Sequence, residues 1–142
     1  MVDLRSRSQA FRLPDAAARA FEAATPPGWE TWVVSADTDS SGDGSQAPSA
    51  EALEAIAEAE VYLGYGLPRA LFAAARRLAW VHTGTAGVAS MLYPEMVESA
   101  VVVTNSVGGI YGPPIAEHVV GGVLHFLRAF DIAGAQQRAA RW

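Results

Sequence analysis

The sequence predicts an α/β protein built on a parallel sheet, and three observations lead to it. Short apolar, β-branched segments recur at Val61 to Tyr65, Ala79 to Thr83 and Val101 to Asn105. Alanine-rich helical stretches separate them, as in βαβ units, because parallel neighbours need a crossover connection. Each apolar segment also runs into a glycine-bearing turn: Tyr65-Gly66, Thr83 to Val88, and Asn105 to Gly112. In an open parallel sheet, ligands bind beyond the carboxyl ends of the strands, where such turns lie.

Taken in order, Val2 to Leu4 reads as a short first strand. Pro14 begins a helix running to about Ala24, since its missing N–H would be unpaired in a first turn anyway. Thr25-Pro26-Pro27-Gly28 stops that helix, and Trp29 to Val34 has the aromatic and β-branched content of a strand. Ser35 to Pro48 is a polar loop of Asp, Ser and Gly without periodicity, read as a solvated linker. Ser49 caps the helix Ala50 to Ala59, whose Glu51 complements the positive helix end. Val61 to Tyr65 is a buried strand ending at Gly66, and Pro68 starts a helix through Ala75. Ala79 to Thr83 and Val101 to Asn105 follow as two further buried strands. The turn at Gly84 to Val88 is expected to open a helix.

Pro113 to Trp142 reads as one long helix, which at about 1.5 Å per residue reaches about 45 Å. Ile115, Val119, Val123, Phe126 and Phe130 form one apolar stripe, and Val120, Leu124 and Leu127 a second. A helix apolar on so many sides is expected to be buried from more than one direction. Gly121-Gly122 in its interior costs about 1 kcal/mol per glycine relative to alanine, which close approach of another backbone would offset. A homodimer built around this helix is therefore expected, two-fold dimers being the commonest oligomers.

Composition narrows the function. Of 142 residues, 51% are hydrophobic and only 18% charged, below the usual ~25%, which suggests surface hidden against a partner. Without cysteine there are no disulfides or thiolate metal sites, and the expected compartment is the cytoplasm. A formal net charge of −5 argues against nucleic acid as a partner. No secretory signal is recognisable, and no run approaches the ~18 apolar residues of a membrane span. His118 and His125 stand seven apart, whereas metal-binding pairs on helices usually stand four apart, so no metal site is expected.

The turn Gly84-Thr85-Ala86-Gly87 carries the most chemistry. Backbone N–H groups there, backed by a helix start, would form an anion site without a cationic side chain, suited to a carboxylate. On spacing alone, a tight turn with no ligand is the preferred reading. His82, beside the turn, is similarly read as a satisfied half-buried histidine ahead of a ligand-binding one.

Trp80-Val81-His82-Thr83-Gly84-Thr85-Ala86-Gly87-Val88, then Val101-Val102-Val103-Thr104-Asn105-Ser106, then Pro114-Ile115-Ala116-Glu117-His118, taken in that order, resemble the N-terminal part of the D-isomer-specific 2-hydroxyacid dehydrogenases. The match covers Leu78 to Trp142 well and Val61 to Ala75 moderately. It implies a flavodoxin-like substrate domain over residues 1–99, then a strand and long helix over 100–142 that begin an incomplete Rossmann domain for NAD or NADP. By resemblance, the amides of Ala86, Gly87 and Val88 hold the carboxylate of a 2-hydroxy or 2-oxo acid, with Tyr65, Gly66 and His82 around them. Thr104, Asn105 and Tyr111 are implied to line the cofactor cleft. Glu117-His118 marks the helix entering the cofactor domain and is not a catalytic pair. The family's dimers, formed around the corresponding helix, point again to a homodimer.

The sequence departs from the family in three places. Ala89 stands where many members have an acidic residue, Gly108-Gly109 looks one residue longer than usual, and the first strand is degenerate. No G-x-G-x-x-G follows a strand, so the pyrophosphate has no loop. The family's catalytic arginine, glutamate and histidine would lie beyond Trp142. The expectation is thus a truncated substrate-domain portion with no catalytic residue, inert by itself. The alternative is a non-enzymatic module that binds a small carboxylate or dimerises.

Overall fold

The computed structural model describes residues 1–38, 47–107 and 111–141. It divides into two compact units, residues 1–106 and 107–142. The first is an α/β unit whose four strands, β1 (Val2–Asp3), β2 (Val61–Gly64), β3 (Trp80–Thr83) and β4 (Val102–Asn105), form an all-parallel sheet in the order β1-β2-β3-β4. The strand expected to open the second part therefore belongs to the first unit. Val102 lies opposite Trp80 and Asn105 opposite Thr83.

The segment read as a strand from Trp29 to Val34 is not one. It touches β1 through an isolated parallel bridge, Val2 to Val33, with Val2 N–H donating to Trp32 O and Val34 N–H to Val2 O. A second bridge joins Ser6 to Thr38. Pro26, Pro27 and Gly28 delay the pairing: Trp29 N–H closes a turn onto Pro26 O, with Gly28 at φ 84°, a conformation open to glycine.

The helices of this unit are α1 (Asp15–Ala23), α2 (Ala50–Glu58), α3 (Arg69–Ala74) and α4 (Pro94–Val97). Ser49 caps α2 as expected, its hydroxyl accepting from Ala52 N–H at 3.0 Å. Pro14 and Pro68, expected in the first turns of α1 and α3, instead occupy the cap positions with extended backbone. The polar loop's residues 39–46 and the Gly108-Gly109 pair lie outside the described residues.

The core forms on one face of the sheet. Ala52, Ala55 and Ile56 recur at helical spacing on α2 and are buried. Ala52 and Ile56, with Leu67, Leu71 and Met91, enclose Tyr62 and Val81, register partners on β2 and β3. The opposite face explains a second correction: Val101 to Asn105 is not a buried strand. Trp80 and Val102, which pair across β3 and β4, are 44% and 58% exposed, and no residue of β4 is buried. As an edge strand with one face open, β4 lacks the two-sided cover usual in parallel sheets.

Tyr62 points along β2 toward its carboxyl end, and its ring lies over Gly64. A Cβ on Gly64 would stand 2.6 Å from Tyr62 Cε1 and closer still to the hydroxyl end. Glycine is required here by space and not by dihedral angle.

In the second unit, the single long helix is replaced by two, α5 (Gly112–Leu127) and α6 (Phe130–Arg138). Ala129 interrupts them at φ 50°, in the left-handed region. Alanine there costs about 1–2 kcal/mol, and no glycine or proline announces the break. No residue of α5 is buried, contrary to expectation; Phe126 is 76% and Ile115 62% exposed. His125 packs edge-on against Phe130, centroids 6.2 Å apart. Among the described residues, no helix is long and apolar enough to cross a membrane.

Overpacking a filled core costs typically about 1–3 kcal/mol. Gly64→Ala is expected to destabilise the first unit by that amount, displacing the Tyr62 ring. Urea unfolding checks this, and an unchanged midpoint would mean the ring moves aside freely.

Candidate functional site

Two of the turns expected to hold chemistry, Tyr65-Gly66 and Gly84 to Val88, gather at the carboxyl end of the sheet. Register places Gly64 beside Thr83 and Asp3 beside Gly64, so the residues following β1, β2 and β3 leave the sheet together. Gly84 N–H donates back to Gly64 O at 2.8 Å, and the Tyr65 ring packs on Gly84, 3.5 Å from where a Cβ would be.

The Gly84 to Val88 turn does not open a helix. It leads into a three-residue 3-10 turn, Ala89–Met91, too short to supply a helix dipole. The anion-binding argument must then rest on individual peptides, and the structure orients two of them. Asn105 Nδ2 donates to Ala86 O at 2.6 Å, and Thr85 Oγ1 donates to Gly87 O at 2.8 Å. In a trans peptide, C=O and N–H point in opposite directions. Pinning the Ala86 and Gly87 carbonyls turns the N–H groups of Gly87 and Val88 away from those anchors. Among the described residues these two amides show no hydrogen-bond partner, and Ala86 and Gly87 are exposed. Two adjacent N–H donors without a partner suit a carboxylate.

Gly87 itself has no positive φ, and a Cβ there would meet nothing within 4 Å. The turn therefore does not need glycine for its own conformation. A side chain at this position would obstruct only something approaching the backbone.

The other candidates fall into place differently. His82 Nδ1 lies 2.9 Å from Thr104 Oγ1 and Nε2 3.3 Å from Ser106 Oγ. Trp80 Nε1 also donates to Thr104 Oγ1, at 2.8 Å. Both imidazole nitrogens and Thr104 are thus engaged in a ladder on the open face of β3 and β4. Asn105, expected toward the cofactor, anchors the Gly84 to Val88 turn through Ala86 O. Tyr111 is exposed and belongs to the second unit.

Beneath Tyr65-Gly66 lies a buried cluster that sequence reading missed. Asp3 is only 5% exposed, and its Oδ1 has no partner among the described residues. Burial raises its pKa, opposed by hydrogen bonds from the Tyr62 and Thr38 hydroxyls and reinforced by the charge of Glu51. Tyr62 Oη stands 2.9 Å from Gly66 O and 3.3 Å from Asp3 Oδ2, yet it carries one proton. With Asp3 ionised, Tyr62 can satisfy one acceptor only. With Asp3 protonated, the acid donates to Tyr62 and Tyr62 donates to Gly66, so both bonds form. A charged residue between Val2 and Leu4 was the available signal.

Glu51 behaves oppositely. It accepts from Ser35 N–H at 2.9 Å, Ser35 Oγ at 2.7 Å and Ala36 N–H at 3.0 Å. These bonds, the Ser35 amide foremost, hold its carboxyl below the usual range.

Among the described residues, the turn after β3 is followed by a 3-10 segment, and β4 is followed by the helix α5 across a connection that includes residues 108–110, outside the described residues. No protein-family model matches the chain, and no curated protein or solved structure matches it.

Because the folded state holds the Asp3 proton more tightly than the unfolded chain, Asp3's contribution to stability falls as pH rises from the ordinary carboxylate range through its raised pKa. In Asp3→Asn the amide N–H₂ replaces the acid proton. With that amide donating to Tyr62 Oη, Tyr62 donates to Gly66 O without a competing carboxylate, which is expected to stabilise the fold by about 1 kcal/mol at pH 7 and to flatten the slope above the ordinary carboxylate range. Urea unfolding across that range checks this; a less stable variant at pH 7 contradicts the proton chain.

Proposed function

We propose that this chain is the substrate-domain portion of an NAD- or NADP-dependent D-2-hydroxyacid dehydrogenase, with its carboxylate site at the Ala86-Gly87-Val88 amides. The observation that carries the reading is the pair of amides, without a partner among the described residues, whose peptide carbonyls Asn105 and Thr85 hold at the carboxyl end of a parallel sheet. Counting the bridged segment at Val33 as a strand position, the chain-order sequence across the sheet is 2-1-3-4-5. That is the flavodoxin-like order, and it supports the finer fold assignment. In this reading the second unit begins the Rossmann domain.

The roles open to this chain's residues are binding and orientation. The Gly87 and Val88 amides hold the carboxylate, Asn105 and Thr85 fix those amides, and Tyr65-Gly66 bounds the site. His82 keeps the β4 side of the turn in place through Thr104 and Ser106. NAD(P) would supply the hydride, and with no G-x-G-x-x-G after a strand to hold its pyrophosphate the 142-residue chain is expected to show no NADH oxidation with 2-oxo acids.

Two hydrogen bonds to a charged group are worth about 1.5–3 kcal/mol each, which sets the affinity for pyruvate near about millimolar. Pyruvate is expected to shift the Gly87 and Val88 amide resonances at that concentration. Gly87→Val is expected to abolish those shifts while leaving stability within about 0.5 kcal/mol, as for an unconstrained surface position. Persistent shifts in the variant would remove the site. A glycine loop encoded downstream of the Trp142 codon would favour the dehydrogenase, and none would favour a carboxylate-binding module.

A second reading rests on α5. Ile115, Val119, Val123 and Leu124 are all about half exposed or more, and Gly121 and Gly122 have open space above their backbones. We propose a homodimer through this helix, now shortened by the break at Ala129. Light scattering at micromolar concentration should give twice the 15.0 kDa chain mass; a monomer overturns the proposal.

A further inference from the structure

We propose that Phe11 and Tyr65 form the wall of the carboxylate turn that receives the ligand's side chain, and that the acid taken there carries an aromatic or branched aliphatic group at C3. This inference rests on the carboxylate reading above and names the substrate class for the same site.

Three observations lead to it. With the bridged segment counted, the sheet order reverses between β1 and β2, and in open parallel sheets the ligand crevice falls outside the carboxyl ends at that switch point. The chain segments leaving the sheet there are the loop after Asp3 and the Tyr65-Gly66 turn. Second, Tyr65 joins the two: its hydroxyl donates to Phe11 O, its ring meets the Phe11 ring edge-on with centroids 6.5 Å apart, and the same ring rests on Gly84. Phe11 is thereby tied to the residue that opens the carboxylate turn.

Third, Phe11 is held in place yet open. Its N–H donates to Ser8 O, and Leu13 N–H donates to Leu4 O just beyond it. The side chain remains 57% exposed. An isolated exposed Phe is ordinary, but one fixed by its backbone and by a Tyr65 contact presents a preformed apolar surface. Burying that ring against a ligand group would be favourable without first ordering it. Charge points the same way, since Arg5 and Arg12 in this loop both pair with Asp37, at 3.8 and 3.2 Å. Their charge is already partly neutralised toward a second carboxylate. Arg7, exposed, is the cation a dicarboxylate would need, which makes 2-oxoglutarate the competing probe.

The test is a titration of the 142-residue chain with phenylpyruvate, 2-oxoisocaproate, pyruvate and 2-oxoglutarate, read from the Gly87 and Val88 amide resonances. Phenylpyruvate and 2-oxoisocaproate are expected to half-saturate at concentrations about tenfold below pyruvate, a difference of about 1.4 kcal/mol. Phe11→Ala is expected to bring that ratio toward one, and Tyr65→Phe, which keeps the ring but releases the Phe11 carbonyl, to reduce it. Phe21→Ala, an exposed aromatic on α1, is the control and keeps the ratio. Dispersed amide spectra establish that each variant is folded. Equal half-saturation for all four acids, a preference for 2-oxoglutarate, or an unchanged ratio in Phe11→Ala overturns the wall while the carboxylate site stands. No shift with any acid removes the carboxylate reading and the wall together.

Discussion

The position of the Tyr62 ring over Gly64 constrains more of this molecule than any other contact. It closes the core against Ile56, Leu71 and Val81 from the β2 side. It also carries a hydroxyl the length of the strand to the carboxyl end, where the chain leaves the sheet as Tyr65-Gly66. A phenol buried this deeply needs polar partners, and it finds them in Asp3 and Gly66. Core, first strand and candidate site thus share one side chain. Its pKa lies well above the ordinary tyrosine value, through burial first and then the neighbouring Asp3 charge, so it stays a neutral donor.

The candidate site above this cluster is made of backbone. Its two donors are defined less by the residues that own them than by where the carbonyls of the same peptides are held. Asn105 on β4 and Thr85 within the turn do that holding. The arrangement needs no helix dipole and no cation, which is consistent with a turn that ends in a 3-10 segment. It makes strand β4 part of the site even though β4 offers the core only the partly buried Val103.

The open surfaces have a common origin. A parallel sheet with one covered face leaves alternate residues of β3 and β4 in solvent. The Trp80, His82, Thr104 and Ser106 ladder satisfies the polar groups there without burying them. Helix α5, apolar around most of its circumference and unburied, is the second such surface. Both depart from what a chain with only 18% charged residues would ordinarily leave exposed.

Local features written in adjacent residues were legible in advance. The alternation of apolar strands with helices, the Ser49 cap, the turn at Pro26 to Gly28 and the strand pairs Val61–Gly64 and Trp80–Thr83 follow from side-chain size, branching and hydrogen-bonding capacity over a few positions. Four outcomes depended on the tertiary structure. Trp29 to Val34 has strand composition but meets β1 at a single bridge, because pairing depends on what lies alongside. Ala129 breaks the last helix without a residue that signals it. Whether Val102 and Ile115 are buried depends on cover that hydropathy cannot specify. Asn105 became an anchor of the Gly84 to Val88 turn, and Asp3 a buried acid, through contacts between residues far apart in sequence. Sequence determined which segments favour strand, helix or turn, since those preferences are local; the tertiary structure decided which polar groups meet, because hydrogen bonding depends on distance and direction in space.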